Sequence, residues 1–230
     1  MMKFPEKWLR GDSLGERITS ELRLEIISGH IPRDTVLTEN QISAQFGTSR
    51  SPVREAFKTL ATEGLVDLQR MGAVVLGLTK QDIDELYDVR FLLENFALQR
   101  IADNFDEKKA LKFYRILDMM ELLSNHDDHL EFSYYDLLFH ESIILETNHK
   151  RISHFWNNIR HIVLCLLIVA TEKRFLEDKI EVKNLIEAHR SIIQALLSKD
   201  KDMIHNLVEQ HFEDTKQTVG EAYLPHIYKV

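Results

Sequence analysis

Four residues in the second half of the chain have the types and spacing to hold a metal ion: Asp136, His140, His189 and His211. Asp136 and His140 lie four apart, so on one helix they point the same way. His140 shares a face with Phe132, Phe139 and Ile143. His189 falls in the stripe Val182, Leu185, Ile186, Ile192, Ile193 and Leu196, and His211 follows Ile204, Leu207 and Val208. An aspartate on such an inward face needs a partner, because a lone buried carboxylate is costly. Three imidazoles and a carboxylate suit a divalent ion, zinc foremost with nickel, manganese and iron as alternatives, and they leave coordination positions open. Taken singly, each histidine reads as a satisfied core residue. Four matching positions on three helices favour the metal.

A second set lies near the front of the chain. Ser49, Arg50, Ser51 and Arg54 crowd the first turn and a half of a helix that carries Pro52 in its first turn. Before it, Thr38 and Gln41 form a capping box for a short helix, Ile42 and Phe46 give that helix a buried stripe, and Gly47 stops it. After it, Val53, Ala56, Phe57 and Leu60 recur at helical spacing, Gly64 closes the helix, and Leu65–Gln69 and Ala73–Leu76 read as strands joined through Arg70-Met71-Gly72. A helix–turn–helix followed by a ribbon is a winged helix–turn–helix. The N-terminal end of its second helix enters the major groove of DNA. Arginine there gives two hydrogen bonds to guanine, serine reaches phosphate or a base edge, and the helix N-terminus itself attracts phosphate. Arg70 at the ribbon tip is placed to reach the backbone or the minor groove. Two isolated arginines would read as solvated charges. The turn, caps and wing around them favour DNA.

The rest of the chain must position these two sets. A leading helix, Leu14–Ser28, presents Ile18, Leu22 and Ile26 on one face and ends at Gly29. From Thr79 onward an uninterrupted helical pattern predicts six helices, at about 80–103, 107–124, 128–147, 149–170, 173–199 and 201–219. No proline occurs between Pro52 and Pro225, and Gly220 is the only glycine after Gly77. The expected fold is mainly α: a winged helix–turn–helix over residues 13–78 and an all-α bundle of six to seven helices over 79–222. Residues 1–12 read as a loosely held arm and 223–230 as a C-terminal tail.

Composition sets bounds. The net charge is −8, yet residues 1–78 hold ten basic and ten acidic residues, so the whole excess falls on the bundle. DNA binding must then come from placed arginines rather than a bulk positive field. It should still weaken with salt as counterions are released. The longest apolar run, Ile162–Ala170, is too short to span a bilayer, and MMKFPEKWLRGD has no apolar signal core. A cytoplasmic location and no membrane partner are expected. The single cysteine, Cys165, excludes an internal disulfide and reads as a buried small hydrophobe.

Residues 38–75 resemble the DNA-binding domain of the GntR family of bacterial repressors. The run SRSPVREA, EGLV behind it and MGAVV in the wing carry the resemblance, which extends through most of the chain, the FWNN run included. It implies that Ser49, Arg50, Arg54 and Arg70 contact operator DNA. Asn40 departs from the arginine that many members carry at its position, and so alters one contact of that set. Asp136, His140, His189 and His211 are similar, in order and approximate spacing, to the metal ligands of the helical FCD effector domain of one GntR subfamily. There the metal helps hold a small carboxylate. Arg90 matches an arginine near that pocket, and arginine clamps a carboxylate with two parallel bonds. The competing reading of Arg90 is an intrahelical salt bridge to Glu94. Trp156 at its spacing reads as core.

The resemblance implies a homodimeric transcription repressor, not an enzyme. It would bind a two-fold operator in double-stranded DNA and respond to a small sugar acid of the gluconate type. Two other classes carry separate signatures. A regulator that senses the metal itself would ignore organic acids. A metal-dependent hydrolase would need a general base beside the ion, and the chain has no H-E-x-x-H motif.

Overall fold

A computed structural model describes residues 4–9, 13–177 and 179–227. Two compact units emerge, residues 1–81 with 223–230, and residues 82–222.

In the first unit, α1 (Leu14–Ile27) is capped by Ser13, whose hydroxyl accepts from Glu16 N at 3.1 Å. It buries Ile18, Leu22 and Ile26 as its periodicity predicts. It packs on α3 (Arg50–Thr62). Arg23 forks onto Glu63 at the C-terminal cap of α3, donating from Nε and Nη2 at 2.7 and 2.6 Å. Between them runs α2 (Glu39–Gln45), where Thr38 Oγ1 accepts from Gln41 N at 3.2 Å. Three strands follow the order β1 (Val36–Leu37), β3 (Gly72–Val75), β2 (Val66–Gln69), all antiparallel. Gln69 pairs with Gly72, so the wing turns on Arg70 and Met71 alone. Gly72 has φ +147°, and a Cβ there would lie 2.3 Å from the Leu37 carbonyl oxygen, so only glycine fits.

Strand β1 was not expected, because two residues carry no alternation to read. The loosely held arm is also corrected over residues 4–9. A short 3-10 turn at Glu6–Trp8 buries Phe4 and Trp8, whose rings meet edge to face at 5.7 Å. Two aromatic side chains gain more from burial than such a short segment gains from freedom. The remainder of 1–12 lies outside the described residues.

The second unit is built from α4 (Lys80–Ala102), α5 (Glu107–Asn125), α6 (His129–Glu146), α7 (Lys150–Glu177), α8 (Lys179–Ser198) and α9 (Lys201–Ile227). Its helix count matches expectation. Helix α7 is central: every residue from Ile162 to Thr171 is buried, Cys165 among them. A helix buried all round lies at the middle of a bundle. Trp156 is core, at 1% exposure.

Three helix boundaries differ from expectation, the start of α8 moving from 173 to Lys179 as α7 lengthens. α7 runs on to Glu177, because its polar residues after Ala170 continue the buried face at Thr171 and Arg174. α9 continues through Gly220 to Ile227, so 223–227 is helix rather than tail, and Tyr223 is buried with its hydroxyl accepting from Leu78 N at 2.7 Å. An interior glycine costs a helix only about 1 kcal/mol relative to alanine. The corners use no glycine: Asp127, Asn148 and Lys199 take positive φ of 56°, 50° and 59°. Among the described residues no helix is long and apolar enough to cross a membrane.

Candidate functional site

On the first unit a groove of about 700 Å³ opens between α2, the front of α3 and the wing. Asn40, Arg50, Arg54, Lys58, Gln69 and Arg70 line it. Four of the six residues expected to touch DNA therefore face one concavity. Ser49 and Ser51 are exposed at the start of α3 beside it. Ser49 occupies the cap position without making a side-chain cap bond, which leaves its hydroxyl for another acceptor or donor. Arg54 donates from Nε to Glu39 Oε1 at 2.7 Å. The hydrogen bond from Arg54 holds the Glu39 carboxyl below its usual range. Nothing in the sequence linked Glu39 to Arg54, because the two are on different helices and follow no common period.

In the second unit α6, α8 and α9 bring their polar residues to one buried point. Asp136, His140, His189 and His211 are all 4% exposed or less. Asp136 Oδ1 lies 3.4 Å from His140 Nε2 and 3.3 Å from His189 Nε2, and those two nitrogens are 3.3 Å apart. A tetrahedral ion with bonds of about 2.0–2.1 Å needs edges of roughly 3.3 Å between its ligand atoms. The triangle has those edges. One nitrogen from each of His140, His189 and His211 lies within 4.8 Å of the others. The His211 ring stacks on His140 at 5.3 Å and tilts against His189 at 4.8 Å.

The electrostatics fit a cation. Burial is the largest influence on His189 and pushes it down to about 3, with the His140 charge lowering it further against the Asp136 charge. Burial, then His189 and His140, holds His211 well below the usual range. Both rings are therefore neutral, with a lone pair to give, as ligation requires. Burial would raise Asp136, yet its bond to His140 and the His189 charge hold it low. Burial would lower His140, yet the Glu94 charge and the Asp136 bond raise it, so an ion must displace a proton from this ring to be ligated by it. The donor set thus suits a divalent ion.

Behind this cluster stands a carboxylate that the sequence reading placed only as a helical ion pair. Glu94 on α4 contacts His140 Nδ1 through Oε2 and receives Arg90 Nε on Oε1 at 3.2 Å. A carboxylate on the far nitrogen of a ligating histidine fixes its tautomer and turns its other nitrogen to the ion. Arg90, 2% exposed, lies over the Tyr87 ring at 5.1 Å and the Phe212 ring at 4.9 Å. It lies beside the cluster, and it also makes the salt bridge that was its competing reading. The signal for Glu94 was its place on the Leu93, Ala97, Leu98 side of α4, where a charge is out of keeping with solvent exposure.

Residues 14–76 match the bacterial regulatory proteins of the gntR family, and residues 85–214 match the FCD domain. The chain is 40% identical to the gluconate operon transcriptional repressor of Bacillus subtilis (strain 168), over 96% of this chain and 91% of that one. It is 38% identical, over the same shares, to the repressor of the same name from Bacillus licheniformis. Among solved structures it resembles E. coli McbR/YncC, with a TM-score of 0.71 at 19% identity, covering 93% of this chain and 100% of that one.

Proposed function

The chain belongs to the GntR family of bacterial regulatory proteins and carries an FCD domain, and from that membership we propose how it works. It is a transcription regulator, which sets aside the metal-dependent hydrolase. In this reading it represses an operon for a gluconate-like sugar acid and works in the cytoplasm. The relatives named as gluconate operon repressors support that assignment.

Asn40, Ser49, Arg50, Ser51, Arg54 and Arg70 meet double-stranded operator DNA. Two chains form a homodimer that sets two recognition helices on a two-fold site. The exposed stripe Val89, Leu92 and Phe96 on α4 supports a dimer contact in the helical unit. Asp136, His140, His189 and His211 would hold a divalent ion, zinc foremost. When bound, that ion supplies a Lewis-acid anchor for a carboxylate oxygen. Glu94 keeps His140 turned inward, and Arg90, fixed by Glu94, stands beside the effector. The effector relieves repression only as far as it binds the DNA-incompetent arrangement more tightly than the other.

The observation that carries this reading is the buried triangle of Asp136, His140 and His189. Elemental analysis of the purified protein, with calorimetric titration of gluconate, tests it. About one ion per chain and saturable heat are expected. In His189→Ala both should fall, and an unchanged metal content would remove the cluster from the mechanism. Heat from another acid but not from gluconate would reassign the operon. DNA affinity that follows metal and ignores every acid would make the protein a metal sensor.

A further inference from the structure

Four buried arginines stand among the described residues: Arg23, Arg90, Arg160 and Arg174. Three have a carboxylate. Arg23 pairs with Glu63, Arg90 with Glu94 and Arg160 with Glu141. Arg174, 7% exposed, has none. Its Nη2 donates to the Thr218 hydroxyl at 3.0 Å, and its Nε has no hydrogen-bond partner. Arginine does not shed its proton inside a protein, so this charge is buried without a directly paired carboxylate. One turn earlier on α7, Thr171 is fully buried and its Oγ1 also lacks a partner. Two open polar atoms on adjacent turns of one helix mark a place where a polar group belongs.

The place adjoins the histidine cluster. Thr218 follows His211 and Thr215 on one face of α9, at spacings of seven and three. The Arg174 charge is felt at Asp136, His189 and His211. Arg90 is already neutralised by Glu94. A divalent ion would offset Asp136 with one positive charge to spare, so an anion near this cluster would answer both that charge and the guanidinium of Arg174.

The geometry assigns Arg174, with the Thr171 hydroxyl beside it, as the seat for the anionic group of a hydroxylated organic acid. The Nε–H of Arg174 donates to a carboxylate oxygen, and Thr171 reads that oxygen or a neighbouring hydroxyl. Arg90 then serves by holding Glu94, and the effector's one carboxylate lies between the metal site and Arg174, an oxygen toward each. This assignment rests on the histidine cluster being the effector site.

The test uses the full-length protein as purified, with gluconate and its uncharged polyol counterpart, sorbitol, as probes. Arg174→Gln should weaken gluconate roughly 10- to 100-fold, as expected for losing one charge-assisted bond, and leave metal content unchanged. Arg174→Lys should recover part of that loss. Sorbitol should bind feebly to all three proteins. Full gluconate affinity in Arg174→Gln overturns the assignment. A second measurement needs no effector: melting of the ligand-free variants. Replacing an uncompensated buried charge by an apolar residue is neutral or stabilising, whereas removing one partner of a balanced pair is destabilising. Arg174→Met should therefore melt at or above the parent, and Arg90→Met well below it. If Arg174→Met falls as far as Arg90→Met, the Arg174 charge is already balanced and the seat does not exist. If the parent ignores gluconate while the melting order holds, the sugar-acid reading fails and the anion seat stands.

Discussion

The winged unit and the helical unit use one residue pair in opposite settings. Arg54 meets Glu39 at 2.7 Å with the arginine side chain 58% exposed. Arg90 meets Glu94 at 3.2 Å with neither side chain above 2%. Water screens the first pair, which adds little to folding. Its guanidinium is therefore cheap to redirect, which suits a contact made and broken with DNA. In the second pair desolvation makes any unmatched charge expensive, so both partners must be present and correctly placed. Exposure decides whether an arginine is available for recognition or committed to organising a site.

Substitutions can break or sharpen that contrast. The largest effect is expected from Arg90→Met, which leaves Glu94 buried with His140 alone and should cost about 3–5 kcal/mol. Urea unfolding measures it, and a loss near zero would mean that the two pairs do not differ. Glu94→Gln comes next. It should loosen metal roughly 10- to 100-fold through the orientation of His140, read by competition with a chelator; undiminished affinity would reduce Glu94 to a partner of Arg90 only. Arg54→Ala should remove about 1–3 kcal/mol of operator discrimination while circular dichroism and melting stay as in the parent. A melting loss as large as that of Arg90→Met would make the surface pair structural. The smallest effect lies at a corner of the bundle. Lys199 holds φ +59°, and Lys199→Gly should gain roughly 0.5–1 kcal/mol by relieving a left-handed conformation, partly offset by a freer unfolded chain. A loss there would mean that the lysine side chain itself fixes the corner.

What was legible in the sequence followed from periodicity. A helix fixes the direction of every side chain, so the stripes around His140, His189 and His211 told which way those rings point before any coordinates did. The same rule exposed Asp136. Turn chemistry was equally local: Thr38, Gly47, Pro52 and Gly64 each mark an end that the structure has. Residues that depend on distant partners stayed hidden. Glu39 and Arg54 meet across two helices with no shared period. Arg174 sits in the polar run Thr171-Glu172-Lys173-Arg174, which reads as the end of a helix. Only the continuation of α7 to Glu177 puts Arg174 on the inner face. Glycine and proline mark many corners, but Asp127, Asn148 and Lys199 turn the chain without either.

The hydrogen at Gly72 meters the width of the groove between α2, α3 and the wing. Its α-carbon lies so close to the Leu37 carbonyl that a single added methyl group would act as a wedge between the wing and the strand leading into α2. The reach of Arg70 relative to Asn40 and Arg54 is thereby gauged by the smallest atom available. An alanine at that position would widen the jaw before it altered any residue proposed to touch DNA.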